Sequence, residues 1–561
     1  MKRIMIFMGL ALSLICATSC QKFLTVVPDD NLTFDNYYTS DASVNAATRT
    51  LYTMFVWQDF GTSFQWMAGD ELAGDLFYTY DQEGQFYYMT FNNGNKFLTQ
   101  GWNGLYRVIS YCNNILNDMP EAARTNGVSE GAITRALAEA RCIRGIAHFL
   151  LTEYWRDVPV ITNNNINNNE VYRYKQSSVY EFIRRDLVFA MENLSATTWE
   201  AGRCTQWTAK GMLAKLHLTM ASHLNDANSA ANFTAAKNYA EDVIKNSGLS
   251  LYSNLSDMFY PSGNNNVESL FAMQCTNDGY GYGNLHSAHL TRNALLNNGA
   301  AYGAGKGPTL SLQEAFEDGD LRRPLTFMRN GDHYNNLGGG GYTYVNYSED
   351  KSTEMPNEML AHVRKYLVGT NEDCGGKAGS NQDAGNNLYI LRLTDVYLCY
   401  VEACIGAGVS TTDALAVDVF NQVRLRANLN TVSEITYPAL IKERRCEFAF
   451  EGNNFFDIKR MSYRNMQDAL TYINGMHRER QYITNGNSSI KLEDYNAADM
   501  YHGGFNPVLP DTITQETGTP FYYNENAMQI NFVENSLTLP IPASTVTKTP
   551  NIMQEAKDYE F

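Results

Sequence analysis

Two loop segments of the sequence combine aromatic rings with carboxylate and amide side chains, which are the residue types that bind carbohydrate. One covers residues 57–88 and the other covers residues 277–344. A sugar ring has an apolar C–H face and a polar rim, so its site needs a flat aromatic platform with hydrogen-bonding groups beside it. We therefore predict ligand contacts at Trp66, Asp70, Asp75, Tyr80, Asn277, Asp278, Tyr280, Tyr282, Arg292 and Tyr302.

A core position is the alternative for each of these rings, because large aromatic residues are often buried. The glycines that flank Tyr280 and Tyr282 leave no room for a regular core strand and favour exposure of both rings. Trp102 and Trp155 lie within periodic helical segments. We predict that these two tryptophans belong to the core.

Patterns that would support catalysis or metal binding are incomplete. Residues 303–307 (GAGKG) resemble a phosphate-binding loop, but Ala300 and Gly307 replace its first glycine and its Ser or Thr. His286 and His289 lack the further ligands of a standard zinc pattern. We predict no cofactor, with a structural calcium near Asp70 as an alternative. A glycoside hydrolase needs only two carboxylates about 5–10 Å apart, so that enzyme class is kept as an alternative.

Three glutamates recur at every fourth residue and therefore share one helical face. They are Glu443, Glu447 and Glu451. A group of catalytic carboxylates is one interpretation. The other, which we favour, is an ion-pair network with Arg424 and Arg426 of the preceding helix.

The first twenty residues have the features of an export signal. Lys2 and Arg3 precede an apolar run at residues 4–15, which is too short to span a bilayer. Small residues then lead to Cys20, as in the lipobox of bacterial lipoproteins. We predict a signal peptide at residues 1–19 and lipidation of Cys20, whose acyl chains anchor the protein in a membrane.

The chain is acidic, with a formal net charge of −17. Removal of the signal peptide makes the chain two charges more negative, which disfavours nucleic acid as a partner. Eight cysteines remain apart from Cys16 and Cys20, and none form a CxxC pair. We predict that most of them are small buried hydrophobes, because a chain of this length needs no disulfide framework.

Helical periodicity dominates two blocks, at about residues 40–247 and 388–476. Small residues at helix crossing points resemble tetratricopeptide-type hairpins, although the strict repeat signature is absent. Residues 251–386 are rich in Asn and Gly and contain few strand candidates. We predict a mainly α fold on a tetratricopeptide-like hairpin scaffold, with regions at 20–250, 251–386 (loop-rich and ligand-binding) and 387–561 (returning helices and an irregular tail).

Ordered motifs along nearly the whole chain resemble the SusD/RagB family. They include FLTVVP at 23–28, WNGLYRVI at 102–109, YWRDVP at 154–159, AKGMLAKL at 209–216, ERRCEFAFEG at 443–452, FFDIKR at 455–460 and LTLPIP at 537–542. One departure is Arg156-Asp157, which stands where the family commonly has Phe-Gly. Another is Gln21-Lys22 after Cys20, where surface-exported lipoproteins of this kind often carry acidic residues.

The resemblance implies a surface lipoprotein of the outer membrane that binds a nutrient glycan without catalysis. Members pair with a SusC-like TonB-dependent transporter, and related proteins bind ligand with loops of the two segments described above. RagB-like members take peptides, so a peptide, and a basic one in view of the acidic charge, is the alternative ligand.

Overall fold

The computed structural model describes most of the chain. The described residues are 34–78, 81–277, 281–291, 294–297, 301–302, 306–329, 331–344, 361–374, 376, 383–476, 478, 482–484, 520–522 and 531–561. The predicted signal peptide and Cys20 lie outside these ranges. Within them, no helix is long and apolar enough to cross a membrane.

The first half of the described chain is built from helices that pack on one another in chain order. Helix α5 packs on α7, α7 on α8, α8 on α9 and α9 on α10. The helices are α1 (Phe34–Tyr37), α2 (Asp41–Thr50), α3 (Met54–Asp59), α4 (Asp81–Tyr88), α5 (Lys96–Asn117), α6 (Met119–Thr125), α7 (Glu130–Trp155), α8 (Gln176–Asn193), α9 (Gln206–Ser222) and α10 (Ser229–Asn246).

Local sequence explains where these helices begin and how closely they pack. Ser129 caps α7 by accepting a hydrogen bond from the N–H of Ala132, and Thr205 caps α9 through a reciprocal capping box with Thr208. Gly211 of α9 leaves room for Leu391, because a Cβ there would lie 3.0 Å from a Leu391 methyl group. Polar caps and small buried residues therefore position the scaffold.

The second half contains shorter helices and antiparallel strand pairs. The helices are α11 (Leu285–Leu290), α12 (Leu310–Ala315), α13 (Arg322–Thr326), α14 (Leu393–Ile405), α15 (Ala414–Arg426), α16 (Tyr437–Phe448), α17 (Asn454–Arg464), α18 (Met466–Asn474) and α19 (Ala543–Lys548). The strands are β1 (Leu76–Phe77), β2 (Ser269–Met273), β3 (Gly307–Pro308), β4 (Phe327–Arg329), β5 (His333–Tyr334), β6 (Tyr342–Thr343), β7 (Ala361–Val363), β8 (Leu388–Arg392), β9 (Ser410–Thr411), β10 (Ile435–Thr436), β11 (Tyr482–Thr484) and β12 (Pro520–Tyr522). They pair as β1–β3, β2–β8, β4–β7, β5–β6, β9–β10 and β11–β12. The predicted mainly α fold with few short strands is confirmed.

Distant parts of the chain meet in one apolar core. Trp102 and Trp155 pack edge to face with ring centroids 5.2 Å apart and are buried, as predicted. The indole N–H of Trp155 donates to the carbonyl of Pro540 at 3.0 Å, and the ring of Tyr559 contacts Phe182 of α8. The C-terminal segment thus packs on the helices of the first half.

The three glutamates lie in a buried ion-pair network, with Glu443 and Glu447 on α16 and Glu451 in the turn that follows it. Arg424 pairs with Glu443 at 2.9 Å, and Arg426 pairs with Glu447 at 2.6 Å, which confirms the predicted partners. Burial raises the pKa of Glu447, but the charges of Arg426, Arg392 and Arg322 outweigh burial and hold it well below its usual range. The ionised network therefore locks α16 to α15 and to β8.

Most of the cysteines are buried free thiols, as the sequence predicted. They are Cys112, Cys142, Cys204, Cys275, Cys399 and Cys446. Burial raises the pKa of the Cys399 and Cys446 thiols to about 12. These side chains therefore act as small apolar groups.

Candidate functional site

Two exposed aromatic rings stack on each other, one just before the first predicted loop segment and one in the second. Phe55 of α3 is 41% exposed and Tyr282 is 47% exposed. Their centroids lie 5.6 Å apart with an interplanar angle of 19°. Exposed rings in this arrangement present a flat apolar face, and we call the pair the aromatic platform.

The helix α3 turns Phe55 outward while its neighbours face the core. Met54, Val56 and Trp57 are fully buried. The N–H of Met54 donates to the carbonyl of Gln274 at 2.9 Å, and the indole N–H of Trp57 donates to the carbonyl of Leu51 at 2.9 Å. These contacts fix the orientation of the helix and leave Phe55 toward solvent.

Glycines on either side of Tyr282 allow its loop to pass close to another backbone. Gly281 has a φ of +92°, and a Cβ on Gly283 would lie 2.2 Å from the Cα of Asp383. The backbone N–H groups of both glycines donate to the Asp383 carboxylate, whose pKa is raised by burial and lowered by these donors, with burial the larger effect. The glycines beside Tyr282 thus form an irregular, closely packed loop and not a regular core strand, which was the predicted reason for the exposure of Tyr282.

Polar groups surround the aromatic platform. The side-chain amide of Gln58 approaches Gly281, 3.7 Å from where a Cβ would lie. Asn277 donates from its amide to the carbonyl of Gly376 at 3.3 Å. Arg107 is paired with the Asp59 carboxylate. Among the described residues, the amides of Gln58 and Asn277 and the carboxylate of Asp383 lie next to the loop that carries Tyr282, and Arg107 is paired with the last residue of α3.

A further exposed aromatic ring lies at the other end of α11. Tyr302 is 49% exposed, and its ring centroid lies 5.8 Å from that of His289. Tyr282 precedes the same helix, whose six residues span about 9 Å at 1.5 Å per residue. Tyr282 and Tyr302 therefore both lie next to α11.

Three predicted ligand contacts are corrected because their side chains lie in the interior. Trp66, Asp70 and Asp75 are all 0% exposed. Asp70 accepts hydrogen bonds from the N–H groups of Phe450 and Gly452, each at 3.1 Å. Two π-helical turns, Phe60–Phe64 and Met67–Glu71, wind this segment into the core instead of leaving it as a loop.

The carboxylate of Asp75 is also fully engaged. It pairs with Arg445 at 2.6 Å and accepts from Asn454 at 2.8 Å. With both Asp70 and Asp75 already bound by protein donors, the calcium alternative loses the ligands on which it was based. These aspartates instead join the first segment to the α16–α17 turn.

The remaining predicted contacts divide into two groups. Asn277, Tyr282 and Tyr302 lie around the aromatic platform and α11. The others lie outside the described residues, namely Tyr80, Asp278, Tyr280 and Arg292. Phe55 was missed by the sequence analysis, although its position between Met54 and Val56 in a short helix was a usable signal.

A buried polar cluster lies beneath α11. The ammonium of Lys306 lies 4.4 Å from the Trp66 ring and 4.3 Å from the Tyr78 ring, and 2.9 Å from the Glu83 carboxylate. Burial, with the Lys306 charge, lowers the pKa of both His286 and His289 to about 3. Both imidazoles are therefore neutral at pH 7, next to the ammonium group.

Acidification is expected to destabilise the protein through these histidines. A neutral imidazole in the folded chain gains a proton on unfolding below about pH 6.5, so the free energy of unfolding falls as pH drops from 6.5 toward 3. His286→Asn should reduce the loss between pH 7 and pH 5 by about 2 kcal/mol, measured by urea unfolding. The free energy of unfolding at pH 8, where the imidazole is neutral in both states, measures how much the substitution costs through packing alone. If the pH dependence of stability is the same in the variant and the parent chain, His286 does not cause the loss.

Comparison with sequence families gives matches over nearly the whole chain. The profile of the SusD family matches residues 243–559. A second profile, described as starch-binding and associating with the outer membrane, matches residues 22–218. A SusD-like protein of Bacteroides ovatus is 32% identical over 98% of this chain and 97% of its own. SusD-like protein P2 of Formosa agariphila is 24% identical over 67% of this chain and 74% of its own.

Solved structures with the same fold include one with an oligosaccharide. One crystal structure, 30% identical, covers 94% of this chain and 100% of its own with a TM-score of 0.81. Another, with a xylogluco-oligosaccharide, is 30% identical and covers 92% of this chain and 99% of its own with a TM-score of 0.78. A laminarin-binding SusD-like protein, 21% identical over 92% of this chain and 99% of its own, shares the fold at a TM-score of 0.64.

Proposed function

Because the chain belongs to the SusD family, we propose that it binds a neutral oligosaccharide on the aromatic platform and performs no chemistry on it. The protein then delivers this nutrient to a SusC-like TonB-dependent transporter in the outer membrane. The observation that carries the proposal is the stack of Phe55 on Tyr282, both exposed. The relative with a xylogluco-oligosaccharide supports glycan as the ligand class.

The groups beside the platform favour a neutral glycan over a uronate or sulfate. Gln58 and Asn277 provide amides, which donate to and accept from hydroxyls. Arg107 is paired with Asp59 at the end of α3, so it offers no free cation to an anionic sugar. The chain also carries a net charge of −17, which repels anionic polymers.

The membrane part of the proposal is based on the sequence and the family. Lipidation of Cys20 anchors the chain to the outer membrane, on the cell surface, and about thirteen residues then separate the anchor from the first described helix. A profile described as associating with the outer membrane supports this location. The transporter partner follows from the family resemblance.

Removal of either ring of the platform is expected to weaken glycan binding about tenfold. Each ring that covers a sugar face contributes about 1.4 kcal/mol, which corresponds to a factor of ten. The test is calorimetric titration of Phe55→Ala and Tyr282→Ala with xylogluco-oligosaccharide, alongside a panel of neutral and uronate polysaccharides and peptides. Trp199→Ala is the matched control, because Trp199 is 44% exposed but lies on the loop between α8 and α9.

The same titrations separate the competing functions. Reducing ends that appear in the supernatant would show a glycoside hydrolase and overturn the capture function. Binding of peptides, with no binding of polysaccharides, would reassign the ligand to the peptide class. Unchanged glycan affinity in both platform variants would show that the glycan binds elsewhere.

A further inference from the structure

A large groove lies apart from the aromatic platform, between α12, α16, α17 and α18. Its volume is about 1160 Å³. Its walls also include the segment after α14, where Val409 is 80% exposed. Its apolar lining side chains include Leu224, Val409, Pro438, Ile441, Met461 and Tyr472. We call this feature the α16–α18 groove.

The floor of the α16–α18 groove suits aliphatic side chains better than sugar rings. Ile441 and Met461 form a buried apolar cluster, against which Tyr437 and Tyr472 pack. The ring of Tyr437 is covered by the guanidinium of Arg464 at 4.3 Å, so that face is closed to a sugar. An aliphatic floor offers few partners for hydroxyl groups, which a glycan requires.

Acidic charge at the rim of the groove is left uncompensated. Exposed Glu434 is bonded to the hydroxyl of Ser410, and exposed Asp468 begins α18. Across the described part of the chain, no cation lies within salt-bridge distance of either carboxylate.

The basic side chains that line the groove are already engaged. They are Lys442, which faces Glu317 at 3.6 Å, Arg445, which is paired with Asp75 at 2.6 Å, and Arg464, which donates to the carbonyls of Gly406 and Gly408. Arg464 keeps its charge, because carbonyl groups do not neutralise a guanidinium, so the two unpaired carboxylates of Glu434 and Asp468 outnumber one guanidinium and leave the rim net negative.

We propose that the α16–α18 groove binds a cationic amphipathic helix of a partner protein. A helix with side chains is about 10–12 Å across, so the groove volume holds on the order of two turns. The apolar face of such a helix covers Ile441 and Met461, and its Lys or Arg side chains meet Glu434 and Asp468.

The test uses a fluorescent 18-residue helical peptide of leucine and lysine, titrated with the purified full chain in an anisotropy assay. The same peptide with glutamate in place of lysine is the charge control. Glu434→Gln with Asp468→Asn should weaken binding of the lysine peptide at least tenfold. Val409→Arg should do the same, because it places a cation at an exposed rim position and leaves the fold intact.

Matched substitutions away from the groove separate the site from general electrostatics. Glu170→Gln with Glu192→Gln removes the same charge, and Val267→Arg adds the same cation at a position that is 52% exposed. Both controls should leave the affinity within twofold. Equal losses in the control pair, equal binding of the glutamate peptide, or no binding of the lysine peptide would each overturn the proposal. If the oligosaccharide competes with the lysine peptide, the groove is a glycan site. If Val409→Arg dissociates a dimer of the chain, the groove is a dimer interface. Either result would overturn the proposal.

Discussion

Replacing Arg392 with methionine is expected to lower the free energy of unfolding by about 3–5 kcal/mol. The guanidinium of Arg392 is 1% exposed and pairs with Glu268 at 2.7 Å, Glu447 at 3.0 Å and Glu451 at 2.8 Å. Methionine fills much of the same space but leaves three buried carboxylates without this shared cation. Urea unfolding at pH 7, followed by circular dichroism, measures the change.

A surface ion pair provides the control for this substitution. Arg124 pairs with Glu130 at 2.7 Å, and both side chains are more than half exposed. Such pairs contribute about 0–1 kcal/mol, so Arg124→Met should have little effect. If Arg124→Met lowers the free energy of unfolding as much as the Arg392 substitution does, then burial does not explain the contribution of the Arg392 network to stability.

Gly69→Ala is expected to destabilise the protein by about 3 kcal/mol or more. A Cβ at this position would lie 2.2 Å from the Cα and 2.5 Å from the carbonyl oxygen of Gly452. Both neighbours are backbone atoms, so no side-chain rotation relieves the overlap. The shift also disturbs the bonds from Phe450 and Gly452 to Asp70, and thermal unfolding measures the combined loss.

Gly131→Ala serves as the matched control, since it adds the same methyl group in open space. Gly131 lies in the first turn of α7, and no atom comes within 4 Å of the position its Cβ would take. Alanine is the better helix former by about 0.5–1 kcal/mol, so this variant should be equally stable or slightly more stable. A loss at Gly131 comparable to that at Gly69 would contradict the steric argument.

Features that depend on local spacing were predictable from the sequence. The fourth-residue spacing correctly indicated that Glu443 and Glu447 share one helical face with arginine partners, because side chains at i and i+4 are neighbours, but the helix ends at Phe448 and Glu451 lies in the turn after it. The helices of the scaffold followed from apolar periodicity and caps in the same way. The sequence signals for these helices and for the glutamate spacing extend over no more than a few helical turns, so they can be recognised without knowing the rest of the fold.

Features that depend on contacts distant in sequence were not predictable. The local sequence predicts that Asp70 is an exposed acid beside aromatic residues. In the structure its carboxylate is buried and accepts hydrogen bonds from the N–H groups of Phe450 and Gly452, about 380 residues later. Phe55 faces solvent because Met54 of the same helix is bound to the carbonyl of Gln274, and Tyr282 then stacks on the outward ring. No local pattern specifies either contact, so composition assigned Trp66, Asp70 and Asp75 to a loop surface although they lie in the core, and it missed Phe55 just before that segment.

The packing of the C-terminal segment on the early helices sets the order in which the molecule can fold. Trp155 and Pro540, which share a hydrogen bond, are 385 residues apart, and the N–H of Tyr559 donates to Ser178 across 381 residues. Contacts of this separation carry a large loop-closure entropy and form late. Helices α7 and α8 therefore complete their packing only after residues 540–559 have been synthesised.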